Sequence, residues 1–185
     1  MSLNQSTKYS GLAMALHWLV AVAVIVTWQI SEAAGRAPTR AARGEIMGNH
    51  FALGVVIFGL VAARLIWRMV NPPPPRPAGG AAWERLAGKA VHYAMYTLLL
   101  VMPLAGWFAM SSFDSAISVW GVFDVPKLPV PVNEALGEQI FEIHGVAGIT
   151  LLVLVAVHVL ATAKHTLIDK DGTLFRMLPF GTAKD

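Results

Sequence analysis

The chain of 185 residues contains no cysteine. That excludes disulfides, thiolate metal sites, iron–sulfur clusters and covalently attached haem c, all of which need sulfur. Charge is scarce as well: 14% of the residues are charged and 56% are hydrophobic, where a soluble domain usually carries about 25% charged residues. An ordinary cytosolic protein is ruled out. Metal or redox chemistry has to rest on the six histidines and on carboxylates. The net charge of +3 and the pI near 9.5 could suggest nucleic acid, but that reading needs a clustered basic face on a soluble domain. No nucleic-acid partner is expected.

What is present is apolar sequence in long runs. Four windows carry no Asp, Glu, Lys or Arg: Ser10 to Ser31, Ile46 to Ala63, Ala90 to Phe113 and Ile143 to Ala163. Crossing the ~30 Å hydrocarbon layer takes about 20 apolar residues at ~1.5 Å each, so each window predicts a transmembrane helix. The expected helices cover about 11–31, 46–69, 87–111 and 141–165, giving an all-α integral membrane four-helix bundle as one domain over 1–185. Between the second and third, Asn71-Pro72-Pro73-Pro74-Pro75-Arg76-Pro77 is poor in amide donors and favours polyproline II. It must lie outside the bilayer, in a loop of about 20 residues. Ser31-Glu32-Ala33-Ala34 resembles a signal-peptide cleavage site, yet the apolar run before it exceeds the usual ~7–15 residues. The first helix is expected to be retained.

Orientation follows from the cations, because Lys and Arg concentrate on the cytoplasmic side. Lys8, the Arg64 to Lys89 segment and the stretch from Lys164 onward place ten cations on one face, against Arg36, Arg40, Arg43 and Lys127 on the other. The third loop adds Asp114, Asp124, Glu134, Glu138 and Glu142. Both termini are therefore expected in the cytoplasm (N-in/C-in), with the acidic loop outside. Trp28, Trp67 and Trp107 fall near expected helix ends, where an indole suits either the headgroup region or simple packing.

Five histidines lie inside the charge-free windows, and His165 lies just beyond the last. Counting ~1.5 Å per residue from the expected boundaries puts His17 about 9 Å and His158 about 8 Å from the cytoplasmic face. The same count places His50 about 6 Å and His144 about 2 Å from the opposite face. The depths pair His17 with His158 and His50 with His144. His144 and His158 are 14 residues apart, close to four turns, so one helix face offers one imidazole to each of two levels roughly 21 Å apart. Structural zinc wants four clustered ligands, and copper or iron without a porphyrin wants more than two. Haem needs two axial ligands and fits between facing helices of a bundle. Two bis-histidine b-type haems are the economical reading. Gly54 and Gly148 each follow a candidate ligand by four residues, where they suit either porphyrin approach or close helix packing.

These residues resemble the bacterial cytochrome b561 family, including its small stand-alone members described as superoxide oxidases. The likeness rests on Lys8-Tyr9-Ser10 with His17-Trp18, Asn49-His50 with Arg64-Leu65-Ile66-Trp67-Arg68, and His92 with Tyr96. Its most specific part runs from His144-Gly145 through His158 and Lys164-His165 to Asp169-Lys170-Asp171-Gly172-Thr173-Leu174-Phe175-Arg176-Met177-Leu178-Pro179. The resemblance implies a di-haem oxidoreductase of the bacterial inner membrane, with His17 and His158 holding the iron of the cytoplasmic-side haem b and His50 and His144 that of the other. It further implies oxidation of periplasmic superoxide to dioxygen and reduction of membrane ubiquinone. His92 and His165 are left either as ordinary interfacial histidines or as groups that bind and protonate a quinone, a task within the titration range of histidine. The periplasmic cations could steer an anion or merely solvate loops. The alternative is a cytochrome b subunit that carries electrons between the quinone pool and a partner dehydrogenase, hydrogenase or periplasmic redox protein.

Overall fold

A computed structural model describes residues 7–75 and 81–182. Arg76, Pro77 and Lys184, which entered the proline and charge arguments, lie outside the described residues. Four long helices dominate: α1 (Gly11–Gly35), α2 (Arg40–Val70), α3 (Ala82–Ser112) and α4 (Glu134–Lys164). All are long and apolar enough to cross a membrane. In hydrocarbon every backbone amide must find its partner within the segment, and a helix satisfies that demand.

The helices extend past the expected boundaries, because charged residues outside the bilayer are good helix formers and the ends are set by caps. Ser10 accepts from the Ala13 amide, Thr39 from Ala42 and Asn133 from Leu136. At α3 the Glu84 carboxylate accepts from the Ala81 amide at 3.2 Å. The α2–α3 connection consequently spans only Asn71 to Ala81, shorter than the loop of about 20 residues that the proline run suggested.

The third loop contains a feature the sequence reading did not anticipate, an antiparallel hairpin of β1 (Ile117–Val119) and β2 (Phe123–Val125). Trp120 and Gly121 at its tip both take left-handed backbone angles, φ 51° and 72°, as a twist-matched hairpin turn requires. A tryptophan in that region is uncommon. Its indole donates to Asn49 Oδ1 at 3.0 Å, which holds the tip against α2 one residue from His50.

The apolar centre is small: Val20, Ile57 and Val61 are buried and pack with Leu53, Tyr96, Leu99 and Leu100. Outward residues such as Leu19, Val22, Ile149 and Leu160 are exposed, as lipid-facing side chains of a bundle should be. The pairing of helices matters more for the site. α1 packs along α2, α2 meets α3 and α3 packs along α4, whereas α4 does not pack closely on α1 or α2. A cleft remains between α4 and the α1/α2 pair.

At the end of the bundle that carries both termini, the chain beyond α4 makes one π-helical turn (His165–Asp169) and a 3-10 turn (Leu174–Met177). Arg176 then ties three segments together. It is 6% exposed, donates from Nε to the Thr7 carbonyl at 2.9 Å, and donates from Nη2 to the carbonyls of Pro74 and Pro75. Its guanidinium also lies 5.7 Å from the centre of the Tyr9 ring. Trp67 and Trp107 are similarly engaged, the first donating to Ser10 Oγ and the second to the Pro126 carbonyl. Trp28 is exposed. Charge-assisted hydrogen bonds contribute on the order of 2 kcal/mol each. Arg176→Ala should therefore lower the thermal unfolding midpoint in detergent by several degrees. Arg176→Lys should recover only part, because one ammonium cannot reach all three carbonyls at once.

Candidate haem sites between facing histidines

The cleft is bridged by imidazoles at two levels. The His17 ring on α1 and the His158 ring on α4 have centres 6.2 Å apart. The His50 ring on α2 and the His144 ring on α4 have centres 6.1 Å apart. These are the pairs that depth counting put together. Both helix positions repeat on the same stripe of α4, so a single helix furnishes one ring to each level.

These separations can be tested against a shared metal. A metal–imidazole bond is about 2 Å and the ring centre lies roughly 1 Å behind the nitrogen, so two rings ligating one ion from opposite sides stand about 6 Å apart. Both pairs fit, and both lie where α4 is held away from α1 and α2. Nothing lies within 4 Å of a β-carbon placed on Gly54, four residues after His50. Two imidazoles at this separation suit a planar macrocycle that supplies the remaining donors itself.

The outer level, on the hairpin side, has its rings oriented by backbone. His50 Nδ1 donates to the Thr27 carbonyl at 3.1 Å. A carbonyl can only accept, so this bond fixes the proton on Nδ1 and leaves Nε2 as the basic nitrogen. His144 Nδ1 is buried and faces the Met102 carbonyl without a well-formed hydrogen bond. Phe141 stacks on Phe51 and Phe113, with ring centres 6.3 and 5.7 Å away, and makes this level apolar. Gly106 on α3 faces this ring: a β-carbon there would lie 3.7 Å from His144 Cε1, an ordinary van der Waals contact, so only a larger side chain would displace the imidazole.

The inner level is more polar. His92 on α3 has its ring centre 5.0 Å from that of His158, so this third imidazole stands at the inner pair itself. Arg64 on α2 lies within electrostatic reach of both His17 and His158. It donates from Nη1 to the Ala13 carbonyl at 2.7 Å and from Nε to the Tyr96 hydroxyl at 3.0 Å. His165 lies two turns beyond His158 and turns instead to carboxylates: its Nδ1 is 2.8 Å from Asp171 and 3.1 Å from Asp169. Lys164 bridges Asp169 and Glu84 at 2.8 and 2.9 Å. Burial pushes the Asp171 carboxyl up, but hydrogen bonds from Thr173 and from His165 outweigh it and hold the group below the usual aspartate value.

Of the four cations on the hairpin side, Arg36 pairs with Glu32 and Lys127 with Asp114, while Arg40 and Arg43 are exposed at the start of α2. In the sequence Arg64 is a topology signal and part of the motif that carries the resemblance, with no role at the site assigned to it. The sequence reading had no means of finding Thr27, Gly106 or the Trp120–Asn49 latch, which act through backbone approach and long-range contact.

The site defines a class, a bundle able to hold metal macrocycles between helices, and comparison with known proteins narrows it. The profile of the family described as prokaryotic cytochrome b561 matches residues 8–180. Among relatives, cytochrome b561 homolog 2 of Escherichia coli (strain K12) is 29% identical over 95% of this chain and 93% of its own length. Cytochrome b561 homolog 1 of the same organism is 29% identical over 93% and 97%. A probable superoxide oxidase CybB of Yersinia pestis is 27% identical over 93% and 96%. The chain belongs to the prokaryotic cytochrome b561 family. It is a multi-pass bacterial inner-membrane redox protein, and its membership implies haem b. Gly106→Ala should retain wild-type haem content, because the added methyl meets His144 at ordinary van der Waals distance. Gly106→Leu should push the ring aside and lose haem, which a pyridine haemochrome assay on purified protein would read.

Proposed function

We propose that the protein holds two haem b groups, one between His17 and His158 and one between His50 and His144, and transfers electrons across the membrane from superoxide to ubiquinone. The observation that carries this reading is the pair of ring separations, 6.2 and 6.1 Å, one at each level of the same cleft. When bound, haem b supplies a reversible one-electron couple at each level. The chain's own groups do the rest. His50, fixed by the Thr27 carbonyl, and His144 orient the outer group; the aromatic residues Phe51, Phe113 and Phe141 exclude water from it. The relative named a probable superoxide oxidase supports superoxide as donor.

The electron balance is simple. Two superoxide anions lose one electron each on the outer side and leave as dioxygen. Two electrons and two protons then convert one quinone to quinol on the inner side. The positive-inside bias places both termini in the cytoplasm, so the protons come from the cytoplasmic end. His92 beside His158, and His165 with its Asp169 and Asp171 partners, are the groups that bind the quinone head and pass it protons.

Stopped-flow mixing of oxidised protein with superoxide should show haem reduction at a rate approaching the diffusional ceiling of ~10⁸–10⁹ M⁻¹s⁻¹. Absent or slow reduction contradicts superoxide as donor and favours a partner redox protein. Single-ligand variants test the assignment of residues. His50→Ala and His144→Ala should each remove one haem and leave the other spectrally intact, and His92→Ala should retain both.

A further inference from the structure

Arg64 is an expensive residue where it stands. It stands at the end of the second charge-free window, half-buried among α1, α2 and α3, and carries its charge without an acidic counterpart. Its hydrogen bonds go to neutral acceptors, the Ala13 carbonyl and the Tyr96 hydroxyl. Among the described residues no carboxylate forms an ion pair with it. The Ala13 carbonyl lies one turn before His17 on α1, so the guanidinium is anchored to the turn that positions an inner imidazole. The outer level is built differently. Its rings meet the Thr27 and Met102 carbonyls and a cluster of phenylalanines, and among the described residues no cation acts electrostatically on His50 or His144 as Arg64 does on His17 and His158.

We infer that Arg64 sets the direction of electron flow by making the inner site the stronger electron acceptor of the two. A fixed positive charge in a medium of low dielectric stabilises whichever neighbouring state carries one more electron. The outer level lacks that charge. One electron passing from the outer to the inner level, with no proton moved and no bond broken, therefore runs downhill. Arg64 acts through the inner imidazoles, as a tuning and positioning residue. The inference rests on the haem assignment proposed above.

Potentiometric titration of single-haem proteins tests it. In a His50→Ala background, which leaves the inner group, Arg64→Gln should weaken reduction about tenfold, a fall of about 59 mV for a one-electron couple. In a His17→Ala background, which leaves the outer group, the same change should shift the equilibrium less than threefold. Arg64→Lys keeps the charge and should keep most of the inner midpoint. Tyr96→Phe removes a hydrogen bond but not the charge and should leave it near the parent value. If Arg64→Gln does not accumulate, Tyr96→Glu places a carboxylate against the guanidinium and should lower the inner midpoint instead. An inner midpoint unmoved by loss of the charge would overturn the inference, since the charge would then be offset by an acidic group of the cofactor or serve only to tie helices. An equal fall at both levels, or a fall of the same size in Tyr96→Phe, would overturn it as well. Failure of the parent proteins to bind low-spin haem would sink the proposed ligand pairs and is read before any titration begins.

Discussion

Two imidazoles facing each other across a gap of about two metal–nitrogen bonds are the relation on which the rest of this bundle depends. Four helices can pack in many ways, but only an arrangement that keeps α4 away from α1 and α2, while α3 holds it in place, leaves the rings 6.1 and 6.2 Å apart. Close packing of α4 would bury more apolar surface and destroy both sites. The small apolar centre, Val20, Ile57 and Val61, sits among α1, α2 and α3 and does not include α4. The fold gives up helix-to-helix contact where the paired imidazoles face each other.

What holds the arrangement open is concentrated at its two ends. At the terminal end, Arg176 fastens the C-terminal turn to Thr7 and to the proline segment, and Trp18 donates to the Met177 carbonyl at 2.8 Å. The helix bearing His17 is thereby tied to the chain that follows the helix bearing His158. At the other end, Trp120 reaches from the hairpin to Asn49. Trp18 adjoins His17 and Asn49 adjoins His50, so two of these contacts tie the chain directly beside a ring that faces the cleft.

Much of this was legible in the sequence because the bilayer imposes two simple rules. Charge-free length marks the spans, and counting from their ends gives depth, which paired His17 with His158 and His50 with His144 without any knowledge of the fold. Depth along an axis says nothing about azimuth, however. Depth gives no reason to set a third ring beside His158, yet the His92 ring stands 5.0 Å from it. The helix ends were missed by up to seven residues, as at Glu134, because the window method stops at a charge and a helix does not. The hairpin was missed since its strands are three residues each and its turn uses Trp-Gly, a pair with no strong turn signature.

The two levels also differ in character, and that asymmetry is what the proposed direction of electron flow rests on. Aromatic rings and backbone carbonyls surround the outer pair; an arginine, a third histidine and a network of carboxylates lie at or beyond the inner one. In the proposed arrangement each level holds one haem between two imidazoles. Reduced-minus-oxidised spectroscopy of the purified protein, calibrated to its protein concentration, tests this most directly. The account predicts two haem b per chain, both low-spin with bis-imidazole ligation; a single haem per chain, or a high-spin signal from either level, would contradict it.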